Sequence, residues 1–183
     1  MAWLAFDRAI KTAEQFGFEA PVGRWRKVRA RIHRQACKAG YNTKLRAFVQ
    51  TYDATDLDAS ALLIPLVGFL PPSDPRVRST LEAIERHLMA DGLVFRYDTR
   101  RSHDRLRSRE GAFLACSFWF ADNLIFLGRR DEAKPLFTVT ACLLCAMTLD
   151  CSLKNTIPSA SEWSETFRRH SPTSRSSIRH TIS

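Results

Sequence analysis

The chain has 183 residues, of which 45% are hydrophobic, and it carries a formal net charge of +9. This length suits one domain with a substantial core and excludes a chain that is disordered throughout. The charge favours nucleic acid or an anionic surface, but the arginines and lysines are spread along predicted helix faces without a binding motif, so we predict no nucleic-acid partner.

Two helices are predicted in the first forty residues. An apolar pattern followed by Gly17 predicts a helix over residues 1–16. Pro21 opens a second helix, which Gly40 closes, and its apolar stripe is expected to face the core while its cations face out. The stripe consists of Trp25, Val28, Ile32 and Ala36, and the outward cations are Arg24, Lys27, Arg29, Arg31 and Arg34. Residues 41–57 have no regular period, and we expect a long ordered loop there.

The next two helices differ in character. The segment DASALLIPLVGF is apolar on all sides and predicts a buried helix, capped by Asp56 or Asp58, that Pro65 kinks or ends early. An amphipathic helix starts at Asp74-Pro75 and ends before Gly92. Its core stripe consists of Val77, Leu81, Ile84 and Leu88.

A second long loop, residues 92–109, leads into the most hydrophobic segment of the chain. From Glu110 to Leu127 apolar residues leave no solvent-facing stripe, which predicts a helix buried on every side. Glu110 stands at its N-terminus, where the helix dipole favours a carboxylate. A sixth helix opens at Asp131, with Ala133, Leu136 and Phe137 expected on one side.

These six helices alternate between all-round apolar and amphipathic patterns, which predicts an all-α fold in two layers. The order suits a partial (α/α)6 barrel of about three helical hairpins. Half a barrel leaves an open apolar edge, so we expect a partner or further sequence to cover it.

Cysteines and histidines give no sign of a metal or cofactor. The five cysteines are an odd number without regular spacing, which favours reduced thiols in a cytoplasmic protein, and the start MAWLAFDRAI lacks the pattern of a secretory signal. No stretch reaches about 18 uninterrupted apolar residues, so we predict no membrane partner. Cys142 and Cys145 supply only two of about four zinc ligands. The five histidines are isolated in sequence and are expected to face solvent.

Several long segments resemble the catalytic domain of glycoside hydrolase family 15, the glucoamylases and related trehalases, in its bacterial form. The similar segments are MAWLAFDRAI, AFVQTYDATDLDASALLIPLVGFLPPSDPRV, ADGLVFRYDT, EGAFLACSFWFADNL and GRRDEAKPLF. They span residues 1 to 137. The resemblance implies a barrel of six helical hairpins and inverting hydrolysis of an α-glucoside such as a maltooligosaccharide or trehalose by two glutamates.

The resemblance places neither glutamate in this chain. The family's general acid lies in a tryptophan-glutamate motif shortly before the position of Met1, so the chain is expected to be truncated at its N-terminus. The general base lies in a later motif resembling LLSEEYDP, followed by GNFPQAFSH, and residues after Phe137 contain neither text. We therefore assign no catalytic residue and predict no hydrolytic activity for the chain as printed.

Residues 141–173 contain the missing text in another reading frame. If the last base of each codon is joined to the first two of the next, permitted codons turn Ala141 to Pro158 into LLALRNDSGLLSEEYDP and Trp163 to Thr173 into VGNFPQAFSH. This indicates a frameshift near residues 138–141. We thus divide the chain into a partial catalytic domain, 1–140, and an out-of-frame, poorly ordered tail, 141–183, whose end has too little apolar surface to pack.

Three residues are predicted to bind sugar. The resemblance implies that Arg96, in an extended loop, points into the pocket, where its fixed donors suit vicinal hydroxyls. Tyr97 stands beside it, and Glu110 is expected to bind a hydroxyl or orient Arg96. The residues alone equally allow Arg96 to pair with Asp91 or Asp98, and Glu110 to be a helix cap.

Taken together, these features predict an inactive fragment of an inverting α-glucoside hydrolase. The alternative is a non-catalytic helical module that binds another protein through its apolar edge.

Overall fold

A computed structural model describes residues 2–52, 54–97 and 113–148, and for Met147 and Thr148 it describes the backbone alone. The described residues form six α-helices and two pairs of two-residue antiparallel strands, so the predicted all-α class is confirmed. They divide into two compact units between Ile84 and Glu85. Predictions for Glu110 and for residues 149–183 lie outside the described part.

The first unit begins with α1 (Ala2–Phe16) and α2 (Val22–Ala39), close to their predicted bounds. Gly17 ends α1 with a φ of +67°, a conformation that favours glycine. Asp7 of α1 is buried, and its Oδ1 accepts from Nη1 of Arg29 on α2 at 2.7 Å. The prediction that Arg29 faces outward is therefore wrong, because a buried carboxylate requires a charged partner.

Asp7 also lies 2.8 Å from Nζ of Lys11, measured at Oδ2. Burial alone would raise the pKa of Asp7, but hydrogen bonds and charges from Lys11 and Arg29 outweigh it and lower the pKa below the usual 3.8. The carboxylate therefore stays charged and links the two helices.

Residues 41–57 contain a small hairpin where a loop was expected. Strands β1 (Tyr41–Asn42) and β2 (Ala47–Phe48) pair antiparallel. Phe48 is buried, and its N–H donates to Oγ1 of Thr80 at 3.0 Å. Two-residue strands are too short to produce a sequence period, which explains why the pattern did not reveal them.

The third helix is much shorter than predicted. A 3₁₀ turn (Ala59–Leu62) leads into α3 (Leu63–Leu66), and Gly68 with a φ of +76° follows. Asp58 is the cap, since its Oδ1 accepts from the N–H of Ser60 at 2.7 Å. Pro65 has no N–H to donate, so the α-helical ladder cannot extend back through it.

Helix α4 (Pro75–Leu88) starts where Asp74-Pro75 predicted and spans the division between the units. Its predicted core stripe is buried and consists of Val77, Leu81, Ile84 and Leu88. The helix therefore contributes apolar side chains to both units.

The second unit continues with β3 (Met89–Ala90), β4 (Leu93–Val94), α5 (Leu114–Phe126) and α6 (Arg130–Thr148). The start of the predicted loop at Gly92 is thus a hairpin. Helix α6 runs beyond residue 140 as far as Thr148.

Burial on α5 and α6 differs from the prediction. One face of α5 is buried, but Phe113 before it and two residues near its end, Ile125 and Phe126, are 44–52% exposed. Phe137 of α6 is 53% exposed and does not share the buried side of Ala133 and Leu136. The apolar pattern predicted burial on every side of α5. In the described part of the chain, some apolar side chains of both helices are exposed instead.

Candidate functional site

The hairpin after α4 presents the predicted sugar-binding residues. Its strands pair Met89 with Val94 and Ala90 with Leu93, so two residues form the turn. Asp91 and Gly92 take φ values of +51° and +75°. Two successive positive φ angles match the type I′ turn, whose twist suits a tight hairpin and which Asp-Gly sequences favour. The Asp91-Gly92 sequence thus favours the turn that reverses the chain after β3.

Two hydrogen bonds hold the chain where it leaves this hairpin. The N–H of Phe95 donates to the carbonyl of Leu88 at 2.8 Å. The N–H of Val94 donates to Oγ of Ser117 on α5 at 2.9 Å, and both residues are completely buried. A backbone donor in such a place requires a partner, so the Ser117 hydroxyl fixes the strand against α5.

Arg96 and Tyr97 follow this anchored strand directly. Arg96 is exposed and Tyr97 is half-buried. A guanidinium offers five donors in a planar fork, and a phenol offers a donor, an acceptor and an apolar ring face. These groups can bind adjacent hydroxyls and pack against the apolar face of a sugar ring. Arg96 and Tyr97 are consecutive residues of the chain, and Glu110, the third predicted residue, lies outside the described part.

An ion-pair cluster fixes the helices that carry the hairpin. Arg129, before α6, makes a two-pronged contact with Glu132, with distances of 2.8 Å from Nε and 2.6 Å from Nη2. Its Nη2 also lies 3.3 Å from Oε1 of Glu85 on α4. The hydrogen bond from Arg129, opposed by partial burial, lowers the pKa of Glu132. Glu132 therefore stays charged at neutral pH, and the cluster ties the end of α4 to the start of α6.

Ser117 was not predicted to be part of this arrangement. A signal was available, because Ser117 and Asn123 are polar residues inside a segment otherwise rich in large apolar side chains. Both are buried, and Nδ2 of Asn123 donates to the carbonyl of Trp119 at 2.7 Å. A buried polar residue requires a hydrogen-bond partner, so such an interruption predicts a specific contact.

The structure also describes three other residues that were considered as possible sites, namely His33, Cys142 and Cys145. His33, expected to face solvent, lies against Phe69 with ring centroids 4.6 Å apart, and its Nε2 is 3.1 Å from the Phe69 carbonyl oxygen. Cys142 and Cys145 lie on α6, and neither forms a disulfide bond with another described cysteine. The described residues contain no group of three or more potential ligands placed to hold a metal ion. No helix among them is long and apolar enough to cross a membrane.

Comparisons with known proteins show which family this chain is similar to. Residues 1–144 match the family described as glycosyl hydrolases family 15. A trehalase of Thermoplasma volcanium is 38% identical over 137 residues, or 74% of this chain and 22% of that protein. A trehalase of Mycobacterium tuberculosis is 41% identical over 136 residues, or 74% of this chain and 20% of that protein.

The chain spans about a fifth of the length of these curated relatives. A solved structure described as "Glycosidase Wild Type" has a TM-score of 0.51 and 23% identity, covering 63% of this chain and 30% of that one. At this identity the likeness concerns the fold alone.

Proposed function

The chain belongs to glycosyl hydrolase family 15, and from that premise we propose that it carries part of the sugar pocket of an α-glucoside hydrolase. Among the glucosides that the family resemblance implies, we favour trehalose over maltooligosaccharides. The support for this choice is that both curated relatives compared above are trehalases.

The observation that carries the proposal is the anchored exit of the β3–β4 hairpin. The Val94 amide on Ser117 and the Phe95 amide on Leu88 hold the backbone one residue before Arg96. A backbone held by these hydrogen bonds loses less conformational entropy when Arg96 and Tyr97 bind a neutral sugar. This matters because the hydroxyls of a sugar offer only modest hydrogen-bond energy. In this proposal Arg96 donates to adjacent hydroxyls, Tyr97 packs on the ring, and Glu110 accepts from a hydroxyl or orients Arg96.

Binding of trehalose to the full chain tests this assignment. We expect saturation-transfer NMR to detect binding, and Arg96→Lys to weaken it about tenfold because the ammonium lacks the planar fork. Arg86→Lys, an equally conservative change at an exposed position on α4, is the control and leaves binding unchanged. Equal loss in both variants, or none in either, would remove Arg96 from the site.

We further propose that the chain as printed does not hydrolyse the sugar that it binds. The support is that residues 141–173 lack the text of the family's general-base motif and contain it only in a shifted frame, where Leu153, Lys154 and Asn155 span the codons for the paired glutamates. The family match continues to residue 144, close to the proposed shift. Release of glucose from trehalose or maltose by the purified chain, at a rate that scales with its concentration, would disprove this.

A second candidate function is a non-catalytic module that binds another protein. The observation that favours it is a set of exposed apolar side chains on or beside α5 and α6, namely Phe113, Ile125, Phe126, Phe137 and Leu144. Large exposed apolar side chains on two neighbouring helices favour an interaction surface. In the hydrolase proposal the rest of the catalytic domain covers these side chains, whereas in the alternative another protein does. A chain that stays monomeric and soluble by light scattering without any partner would count against this interaction module.

A further inference from the structure

Helix α2 is strongly and unevenly charged. It contains seven arginines and lysines and no acidic residue, including none in its first turn. Two of the seven face α1, where Arg29 pairs with Asp7 and Arg26 pairs with Glu14. The acids of α1 thus match the cations on one side of α2 only.

The other five cations form a single row along the helix. They are Arg24, Lys27, Arg31, Arg34 and Lys38, and all five are exposed. Their positions follow steps of three and four residues, so they share an arc of about 80° and extend over about 21 Å. We call these five residues the cationic row. Within the described part of the chain, none of them makes an ion pair with an acidic side chain.

The stability of α2 does not explain this row. Like charges three or four residues apart destabilise a helix, and the row contains four such neighbouring pairs. Arg24 also lies near the helix N-terminus, where the dipole disfavours a cation. A helix that faces only water has no reason to carry charges of a single sign along one row. An anionic partner therefore explains the row better.

We propose that the cationic row docks an acidic α-helix of a partner protein. A helix with Asp or Glu at the same spacing places each carboxylate opposite a cation, as charged residues do along paired helices. The exposed residues beside the row, Gly23, Ala30 and Gln35, are small or polar. They offer no aromatic ring on which a base stacks and no apolar side chain that enters a bilayer. These neighbours favour a protein partner over nucleic acid or a membrane.

A designed peptide tests the docking with the full chain. The probe is a labelled, alanine-rich helix with glutamate at positions 1, 4, 8, 11 and 15, and its control has the same composition with the glutamates in one block. We expect fluorescence anisotropy at low salt to show at least about fivefold tighter binding of the spaced peptide, with binding lost near 0.5 M salt, where the Debye length falls to about 4 Å. Equal binding of the two peptides would overturn the proposal.

Variants of the row provide the second arm. The triple change Lys27→Gln, Arg31→Gln and Arg34→Gln is expected to weaken binding about tenfold, since each exposed pair contributes modestly. The matched control Lys44→Gln, Arg78→Gln and Arg86→Gln removes the same charge from other exposed positions and is expected to leave binding within about twofold. Circular dichroism checks that both variants keep their helices. Equal weakening in both, or tighter binding of the chain to phosphatidylserine vesicles or an oligonucleotide than to the spaced peptide, would also overturn it.

Discussion

Replacing Ser117 with alanine removes the hydroxyl that accepts from the Val94 amide, and this single change tests how the hairpin is held. The amide and its acceptor are both fully buried and 2.9 Å apart, so water cannot replace the lost partner without local opening. Leaving a buried donor unsatisfied costs about 1–3 kcal/mol. At about 1.4 kcal/mol for each factor of ten, the Val94 amide should exchange about 5-fold to about 140-fold faster with solvent deuterium.

Hydrogen exchange measured by NMR reads this effect at the amide itself. Thr138→Ala is a suitable control, because it also removes a helix hydroxyl, but one that is exposed and donates within its own helix to Lys134. We expect the control to leave the exchange rate of the Val94 amide unchanged. We also expect Ser117→Ala to weaken trehalose binding, because the backbone before Arg96 is then no longer held by this hydrogen bond. An unchanged Val94 exchange rate in Ser117→Ala would refute the anchoring role.

Three further predictions concern stability. The folded pKa of Asp7 is lowered, so its ion pairs stabilise the fold above the unfolded pKa near 3.8, and this stabilisation is lost as the pH falls through the folded pKa. In denaturant unfolding, Asp7→Asn should therefore destabilise the fold by about 2 kcal/mol at pH 7 and by progressively less as the pH falls below 3.8. Gly92→Ala should destabilise the hairpin by about 1 kcal/mol because of its φ of +75°, seen as faster exchange of the Phe95 amide, while Gly23→Ala within α2 should not. Asp58→Ala removes a side-chain cap and should lower stability by about 1 kcal/mol by thermal unfolding, whereas exposed Asp56→Ala should change it by less than about 0.5 kcal/mol.

Local signals in the sequence predicted the helix ends well. Gly17 and Asp74-Pro75 act through their own backbone preferences, and both mark the ends that the structure has. Asp91-Gly92 is an equally local signal for a tight hairpin, and reading it would have replaced the predicted loop by β3 and β4. The anchored position of Arg96 was thus partly available from the sequence.

Features that depend on distant partners were not predictable in the same way. Arg29 has the pattern of a surface cation, and only the burial of Asp7 on another helix draws it inward. Phe137 is a large apolar residue of the kind found in cores, yet it remains half exposed. Its ring centroid lies 5.3 Å from that of Phe118. Hydrophobic periodicity gives the faces of a helix but does not give the neighbours that cover them.

The most direct test of the account is to follow backbone amide chemical shifts of the full chain while trehalose is added. Sugar binding at the hairpin exit predicts saturable changes concentrated at residues 94–97 and at Ser117, with little change along α2. An absence of change at residues 94–97 at any sugar concentration, or changes confined to other elements, would contradict the assignment of this chain as a sugar-binding part of a family 15 hydrolase.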